Sequence, residues 1–286
     1  MKTIAYLGPP GTFSEEAALS YASGSPDARC MPFTSIPAVV TAIETRVATA
    51  GVLPIENMLE GSVTSTLDLL IHETGLHIVG ETVIPIRQYL AARTDLALEQ
   101  IEVIYAHTQS LGQCRRFLER CLPSVPQIAS LSNSAALADA FADGRVAAAI
   151  TTHRAAQLRE AAILAQDIAD NRWNVTRFVV LAPEDQDMPP TGDDKTSFCF
   201  GFRADHAGLL VNVLEELAHE KINMTKMESR PSKEVLGQYI FLVDIEGHQS
   251  EPHIARALER IVAKTGMFKV FGSYPRWREP KTQEER

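Results

Sequence analysis

The 286-residue sequence is poor in the features that announce most ligand chemistries. Its four cysteines, Cys30, Cys114, Cys121 and Cys199, include no C-x-x-C pair, which argues against a thiolate metal site and leaves reduced thiols as the expectation. There is no G-x-G-x-x-G, and Gly8-Pro-Pro-Gly11-Thr12 lacks the lysine of a phosphate-binding loop. His72, Glu73 and His77 have the wrong spacing for a metalloprotease helix, with Gly75 between them, and no serine sits in a nucleophile elbow. Positive charge is scarce: 27 Lys and Arg against 36 Asp and Glu give a net charge of −9, a poor match to nucleic acid. A small anionic substrate remains compatible, because local donors outweigh distant net charge. No apolar run approaches the roughly 18 residues of a membrane helix. The N-terminal segment has no apolar core of signal-peptide length, so a cytoplasmic location is expected.

What is present is alternation. Thr3–Leu7 reads as a strand, then "GPPGTFSEEAA" turns into a helix with Thr12 and Glu15 spaced as a capping box. "VLPI" reads as a buried strand, followed by a helix with Val63, Leu67, Leu70 and Ile71 on one face, stopped at Gly75. Residues 78–94 read as extended and suit a crossover between two subdomains. "IEVIYAH" reads as a strand ending at His107, followed by a helix from about Ser110 to Leu122. "SNSAALADAFADG" reads as a capped helix, and "VAAAIT" and "TRFVVLA" as strands. Such β/α alternation implies mostly parallel sheets covered on both faces. The acidic, proline-rich "APEDQDMPPTGDD" reads as a linker. After it the order becomes βαββαβ, ferredoxin-like. The expected organisation is 1–183 in two α/β subdomains, a linker at 184–195, the βαββαβ domain at 196–279 and a polar tail at 280–286.

Polar groups gather at the carboxyl ends of the strand candidates: Thr12 and Ser14 after the first, Glu56, Asn57 and Ser62 after the second, His107 and Gln109 after the third. Thr176, Arg177 and Phe178 open the last. Open α/β sheets bind ligands at such strand ends, beside helix N-termini whose free amides attract anions. Neutral donors with an arginine suit a small, multiply anionic, hydroxylated molecule. Each residue also has a structural alternative. Thr12, Ser14, Ser62 and Thr64 serve equally as helix caps, Glu56 as a surface carboxylate, His107 as a hydrogen-bonded structural histidine, and Arg177 as the partner of an acid such as Asp170.

Taken together, "GPPGTFS", "GVLPIENMLEGSVTSTLDLL", "AHTQSLGQC" and "NVTRFVVL" resemble the motifs of the prephenate dehydratase family. "GLLV" at Gly208–Val211 and "ESRP" at Glu228–Pro231 resemble the motifs of its C-terminal regulatory domain. The resemblance implies a two-subdomain, periplasmic-binding-protein-like catalytic domain with the active site in its cleft, followed by an ACT domain. It implies conversion of prephenate to phenylpyruvate, carbon dioxide and water, without a metal, nicotinamide or pyridoxal cofactor. Thr176, Glu56 and Asn57 would be catalytic, and Thr12, Ser14, Ser62, His107, Gln109, Arg177 and Phe178 would bind substrate. Because neighbouring strand residues face opposite ways, an indirect role for Arg177 is a rival reading. L-Phenylalanine would act as effector through Gly208, Leu209, Leu210, Val211, Glu228, Ser229, Arg230 and Pro231, at an interface of a homodimer or homotetramer. Two residues depart from the family pattern. Met58 replaces the usual serine and is expected to shape the pocket with apolar bulk; Leu209 replaces alanine. Arogenate dehydration and non-catalytic sensing of an aromatic metabolite are the alternative functions.

Overall fold

The computed structural model describes residues 2–184, 188–203 and 206–279. The polar tail expected at 280–286 lies outside them. Two sheets organise the first 182 residues. The first runs β2-β1-β3-β11-β5, formed by β1 (Thr3–Leu7), β2 (Arg29–Phe33), β3 (Ala50–Asn57), β5 (His77–Pro85) and β11 (Val175–Ala182), with the two-residue β4 (Gly61–Ser62) folded back on β3. β1 pairs parallel with both β2 and β3. Helices α1 (Phe13–Ala22), α2 (Ile36–Glu44) and α3 (Thr64–Asp68) follow β1, β2 and β4. A π-helical turn, Leu69–Glu73, continues α3 and buries Leu69, Leu70 and Ile71.

The second sheet runs β10-β6-β9-β7-β8: β6 (Tyr89–Ala92), β7 (Val103–His107), β8 (Gln127–Ser130), β9 (Ala147–Thr151) and β10 (Ala162–Ala165). Only β8, β7 and β9 are parallel; β6 is antiparallel to both β9 and β10. The expectation of parallel sheets therefore holds for part of this one. The reason is the crossover: the chain leaves β5 at Pro85 and enters β6 at Tyr89 with no helix to reverse its direction. Both faces of this sheet are buried in period 2. Leu90, Ile104 and Ile150 pack with Leu118 on one side, while Ala91, Val103 and Ala149 pack with Leu137 on the other. The helix expected over 110–122 is two pieces, α4 (Thr108–Gln113) and α5 (Arg115–Cys121), jointed at the buried Cys114. Asp170 caps the second piece, accepting from the Arg116 N–H at 3.1 Å. α6 (Asn133–Ala142) and α7 (His153–Leu158) complete this part.

The remaining strands, β12 (Asp194–Gly201), β13 (Met224–Pro231), β14 (Tyr239–Glu246) and β15 (Met267–Pro275), form an antiparallel sheet of order β13-β14-β12-β15, with α8 (Leu209–His219) and α9 (Pro252–Lys264) between them. Phe198, Phe200 and Val243 face Val213, Leu217, Ile254 and Ile261 of the two helices. β12 starts at Asp194, so the last linker positions, 194 and 195, are strand. The Asp194 carboxylate accepts from the Thr191 and Gly192 N–H groups, which turns an acidic residue into a buried turn-former.

The chain divides into two compact units, Met1–Thr64 with Thr82–Phe178, and Ser65–Glu81 with Val179–Arg286. Side chains of the C-terminal sheet explain why Ser65–Glu81 joins the second. Lys195 Nζ lies 2.9 Å from both Glu81 carboxylate oxygens, with both side chains buried. Lys269 Nζ donates to the Leu70 and Thr74 carbonyls, each at 2.7 Å. No helix among the described residues is long and apolar enough to cross a membrane.

Candidate active site

Within the first unit, a cavity of about 510 Å³ opens where the carboxyl ends of β1, β3 and β7 meet the start of β11. The N-termini of α1 and α6 also face it: Thr12 caps α1 and Ser132 caps α6, and both line the wall. No lysine or arginine is among the described lining residues, and Glu60 is the one carboxylate. Attraction for an anion must therefore come from neutral hydrogen-bond donors and helix N-termini.

Thr176 sits 8 % exposed on the wall beside Asn57 and Phe178. Asn57 Nδ2 donates to Thr176 Oγ1 at 2.9 Å, to Asn174 Oδ1 at 2.9 Å and to the Val175 carbonyl at 3.2 Å. Asn57 Oδ1 accepts from the Leu59 and Glu60 N–H groups, both at 3.0 Å, which fixes the orientation of the amide. The Thr176 oxygen is thus an acceptor from Asn57, and its own proton is left to point elsewhere.

The opposite wall comes from the second sheet. Ser110 Oγ donates to Asn133 Oδ1 at 2.6 Å, and Gln88 bridges towards Gln113 at 3.4 Å. These four residues line the cavity with His107 and Gln109. The loop before α1 is fastened to this second wall. Ser134 Oγ donates to the Pro10 carbonyl and Thr152 Oγ1 to the Gly11 carbonyl, both at 2.6 Å. Gly11 has φ +86°, and a Cβ there would lie 2.9 Å from Ala155, so only glycine permits this approach. Glu15 completes the fastening: its carboxylate accepts from the Gly11 N–H at 2.7 Å and from Arg154 Nε at 3.3 Å. Thr12 Oγ1 accepts from the Glu15 N–H, as a capping box requires, but Glu15 turns to Gly11 instead of Thr12. Burial and the Glu15 carboxylate push the Tyr6 hydroxyl up.

The sequence matches a family model described as prephenate dehydratase over residues 4–186 and one described as ACT domain over residues 202–263. The chain belongs to the prephenate dehydratase family. It is 43% identical over 273 residues, 96% of this chain and 73% of the relative, to a bifunctional chorismate mutase/prephenate dehydratase of Aquifex aeolicus. To a prephenate dehydratase of Bacillus subtilis it is 33% identical over 282 residues, 95% of this chain and 98% of that one. A solved prephenate dehydratase from Arthrobacter aurescens, in complex with L-Phe, is 33% identical and superposes with a TM-score of 0.88 over 96% of this chain and 90% of that one.

Against the family motifs, the cavity gathers Thr12, Ser14, Asn57, Ser62, His107, Gln109, Thr176 and Phe178. Glu56 and Arg177 are not on its wall. As next-door neighbours of Asn57 and Thr176 on their strands, they point away from it and approach each other, 3.7 Å apart. That pairing stands where Asp170 was expected, and the placement agrees with the indirect role given above as the rival reading for Arg177. Met58 is also outside: its side chain is 61% exposed, while its N–H bonds the Val175 carbonyl, so the expectation of apolar bulk in the pocket is corrected. Gln88, Ser110, Gln113, Ser132 and Asn133 are wall residues that were not singled out from the sequence; "HTQSLGQC" held two of them.

The two segments expected to hold the effector separate. Gly208, Leu209 and Leu210 line a cavity of about 140 Å³ with Phe202, His206 and Tyr239, and Gly208 takes φ +93° as the residue before α8. Val211 is exposed beside it. Glu228, Ser229, Arg230 and Pro231 instead end the edge strand β13, where Glu228 lies between Lys226 and Arg230 at 3.6 and 3.5 Å. The described residues contain no group of three or more His, Cys, Asp or Glu able to hold a metal ion.

Proposed function

We infer that the protein converts prephenate to phenylpyruvate in the cavity at Thr176. The observation that carries this reading is the Thr176 hydroxyl, held as acceptor by Asn57 with its proton free, on a wall that supplies neutral donors. Prephenate is a dianion with a 4-hydroxyl on a cyclohexadiene ring. The bond from the ring to its carboxylate breaks, its electron pair enters the ring, and the 4-hydroxyl leaves with one added proton. Carbon dioxide, water and an aromatic ring result.

The difficult event is departure of the hydroxyl. Thr176 donates a hydrogen bond to that oxygen as negative charge develops, and relays a proton that a threonine is too weak an acid to supply itself. Asn57 holds Thr176. Thr12, Ser14, Ser62 and Gln109 and the helix starts hold the side-chain carboxylate, and Phe178 supplies apolar surface where the ring carboxylate loses its solvation. The absence of arginine from the wall supports this assignment, since a tight ion pair would stabilise the carboxylate that must leave.

The regulatory reading rests on the ACT domain, with L-phenylalanine as effector and a homodimer or homotetramer as the working assembly. The two effector segments occupy different places on one chain, which favours a site completed by a second copy. The protein is read as cytoplasmic. Purified protein incubated separately with prephenate and with arogenate tests the function: phenylpyruvate from prephenate is expected. Phenylalanine from arogenate alone would reassign the substrate, and no product from either would leave a sensor.

A further inference from the structure

We propose that Asn174 is a positioning residue for catalysis, setting the direction of the Thr176 hydroxyl through Asn57. The inference rests on the assignment of prephenate dehydration to this cavity.

Asn174 is 1% exposed and is not on the cavity wall, so it does not touch substrate. Its Oδ1 accepts from Asn57 Nδ2 at 2.9 Å. Its own Nδ2 is the single buried side-chain nitrogen or oxygen among the described residues with no hydrogen-bond partner. A buried unpaired donor costs about 1–3 kcal/mol, so an asparagine there needs a reason. Turning the amide over would satisfy nothing, because Asn57 Oδ1 is committed to two backbone N–H groups and presents only Nδ2 to its neighbours.

The reason lies in the donor count. An amide nitrogen has two hydrogens. With Asn174 Oδ1 occupying one of them, the other is directed at Thr176 Oγ1, with the Val175 carbonyl beside it. Without Asn174, the Val175 carbonyl at 3.2 Å competes for the Asn57 hydrogens, the amide held at its oxygen by Leu59 and Glu60 tilts towards it, and the Thr176 hydroxyl loses its aim. A carboxylate at this position would also accept, but it would place a negative charge next to a dianionic substrate. Asparagine is the neutral acceptor of that size, and its idle Nδ2 comes with it.

The test measures kcat and KM on prephenate for Asn174→Leu, which removes the acceptor with the same number of side-chain heavy atoms, and for Asn174→Asp, which keeps it. Each is made in the native and Thr176→Val backgrounds, with folding followed by circular dichroism. Asn174→Leu is expected to lower kcat about ten- to a hundredfold, the scale of a misdirected catalytic donor, with KM within about twofold. In the Thr176→Val background the same change should alter kcat less than about twofold, because the group it orients is gone. Asn174→Asp should recover activity towards acid pH and lose it as the introduced carboxyl ionises, a limb the native profile lacks. The inference is overturned if Asn174→Leu loses the same factor in both backgrounds, or acts on KM alone. If Asn174→Leu does not fold, an Asn174→Asp profile parallel to the native one overturns it. Failure of the native enzyme to convert prephenate would instead remove the reading on which it rests.

Discussion

Asp68, at the end of α3, is gripped by two cations of the regulatory domain: Arg230 Nε at 3.2 Å from Oδ1 and Lys233 Nζ at 2.7 Å from Oδ2. Arg230 belongs to Glu228–Pro231, the segment expected to meet the effector, so one end of that segment holds a helix that begins two residues after Ser62. Burial opposes the charge on Asp68, but the Lys233 hydrogen bond and the two cations outweigh it and hold the carboxyl below its usual range. Asp68→Asn is expected to weaken inhibition by L-phenylalanine while leaving uninhibited kcat within about twofold. An inhibition curve on prephenate reads this, and an unchanged curve would count against the coupling.

Thr176→Ser should retain far more turnover than Thr176→Val. Serine keeps an oxygen for Asn57 and a proton for the leaving group, whereas valine keeps only the shape. The valine variant is expected to fall about 10²–10⁴-fold in kcat. Equal, near-complete loss in both would show that the hydroxyl is not what matters.

Glu60 is the carboxylate on the cavity wall, and its charge repels a dianion. Glu60→Gln is expected to lower KM a few-fold at low ionic strength, with the gain shrinking as salt is added. A large fall in kcat would instead assign Glu60 as the proton source.

Met58→Ser should leave kcat/KM within about twofold and stability within about 0.5 kcal/mol, as for an exposed side chain away from any cap or core. The Met58 N–H bonds the Val175 carbonyl at 2.9 Å, a contact that the substitution keeps.

Burial and the neighbouring Glu15 carboxylate push the Glu16 carboxyl up to about 7, against the attraction of Arg154. Its proton is therefore bound more tightly in the folded state, and stability falls as pH rises from about 4.5 towards 7. Glu16→Gln should change the melting temperature little at pH 5 and raise it by about 2–6 °C at pH 8. Equal effects at both pH values would contradict the shift.

Much of this was readable because local chemistry and fold agree. The order β, α, β, β, α, β after residue 193 follows from turn residues and periodicity alone. Asn57 and Thr176 were legible as motif residues, and strand alternation already set Arg177 on the other face. Its partner was not legible, because Glu56 meets it only once β3 and β11 lie side by side. Asn133 and Gln88 were invisible for the same reason. Nothing local distinguishes a wall residue from a helix-start asparagine or a crossover glutamine until the second sheet stands across from the first. Asn174 was hidden in plain view, two residues before Thr176, because what marks it is a buried acceptor for Asn57 with an unused donor beside it, which no spacing rule reports.

The fastening of the Pro10–Gly11 loop to Ser134 and Thr152 bears on traffic. Along that edge the walls cannot part without giving up two short hydrogen bonds and the Glu15–Arg154 pair. Leu59 and Glu60, with Gln109, Gly112 and Gln113, line a neighbouring cavity of about 520 Å³. Asn57, which holds Thr176, is bonded through its Oδ1 to the Leu59 and Glu60 N–H groups, so the hydroxyl is tied to the unfastened side of the site rather than to the fastened edge.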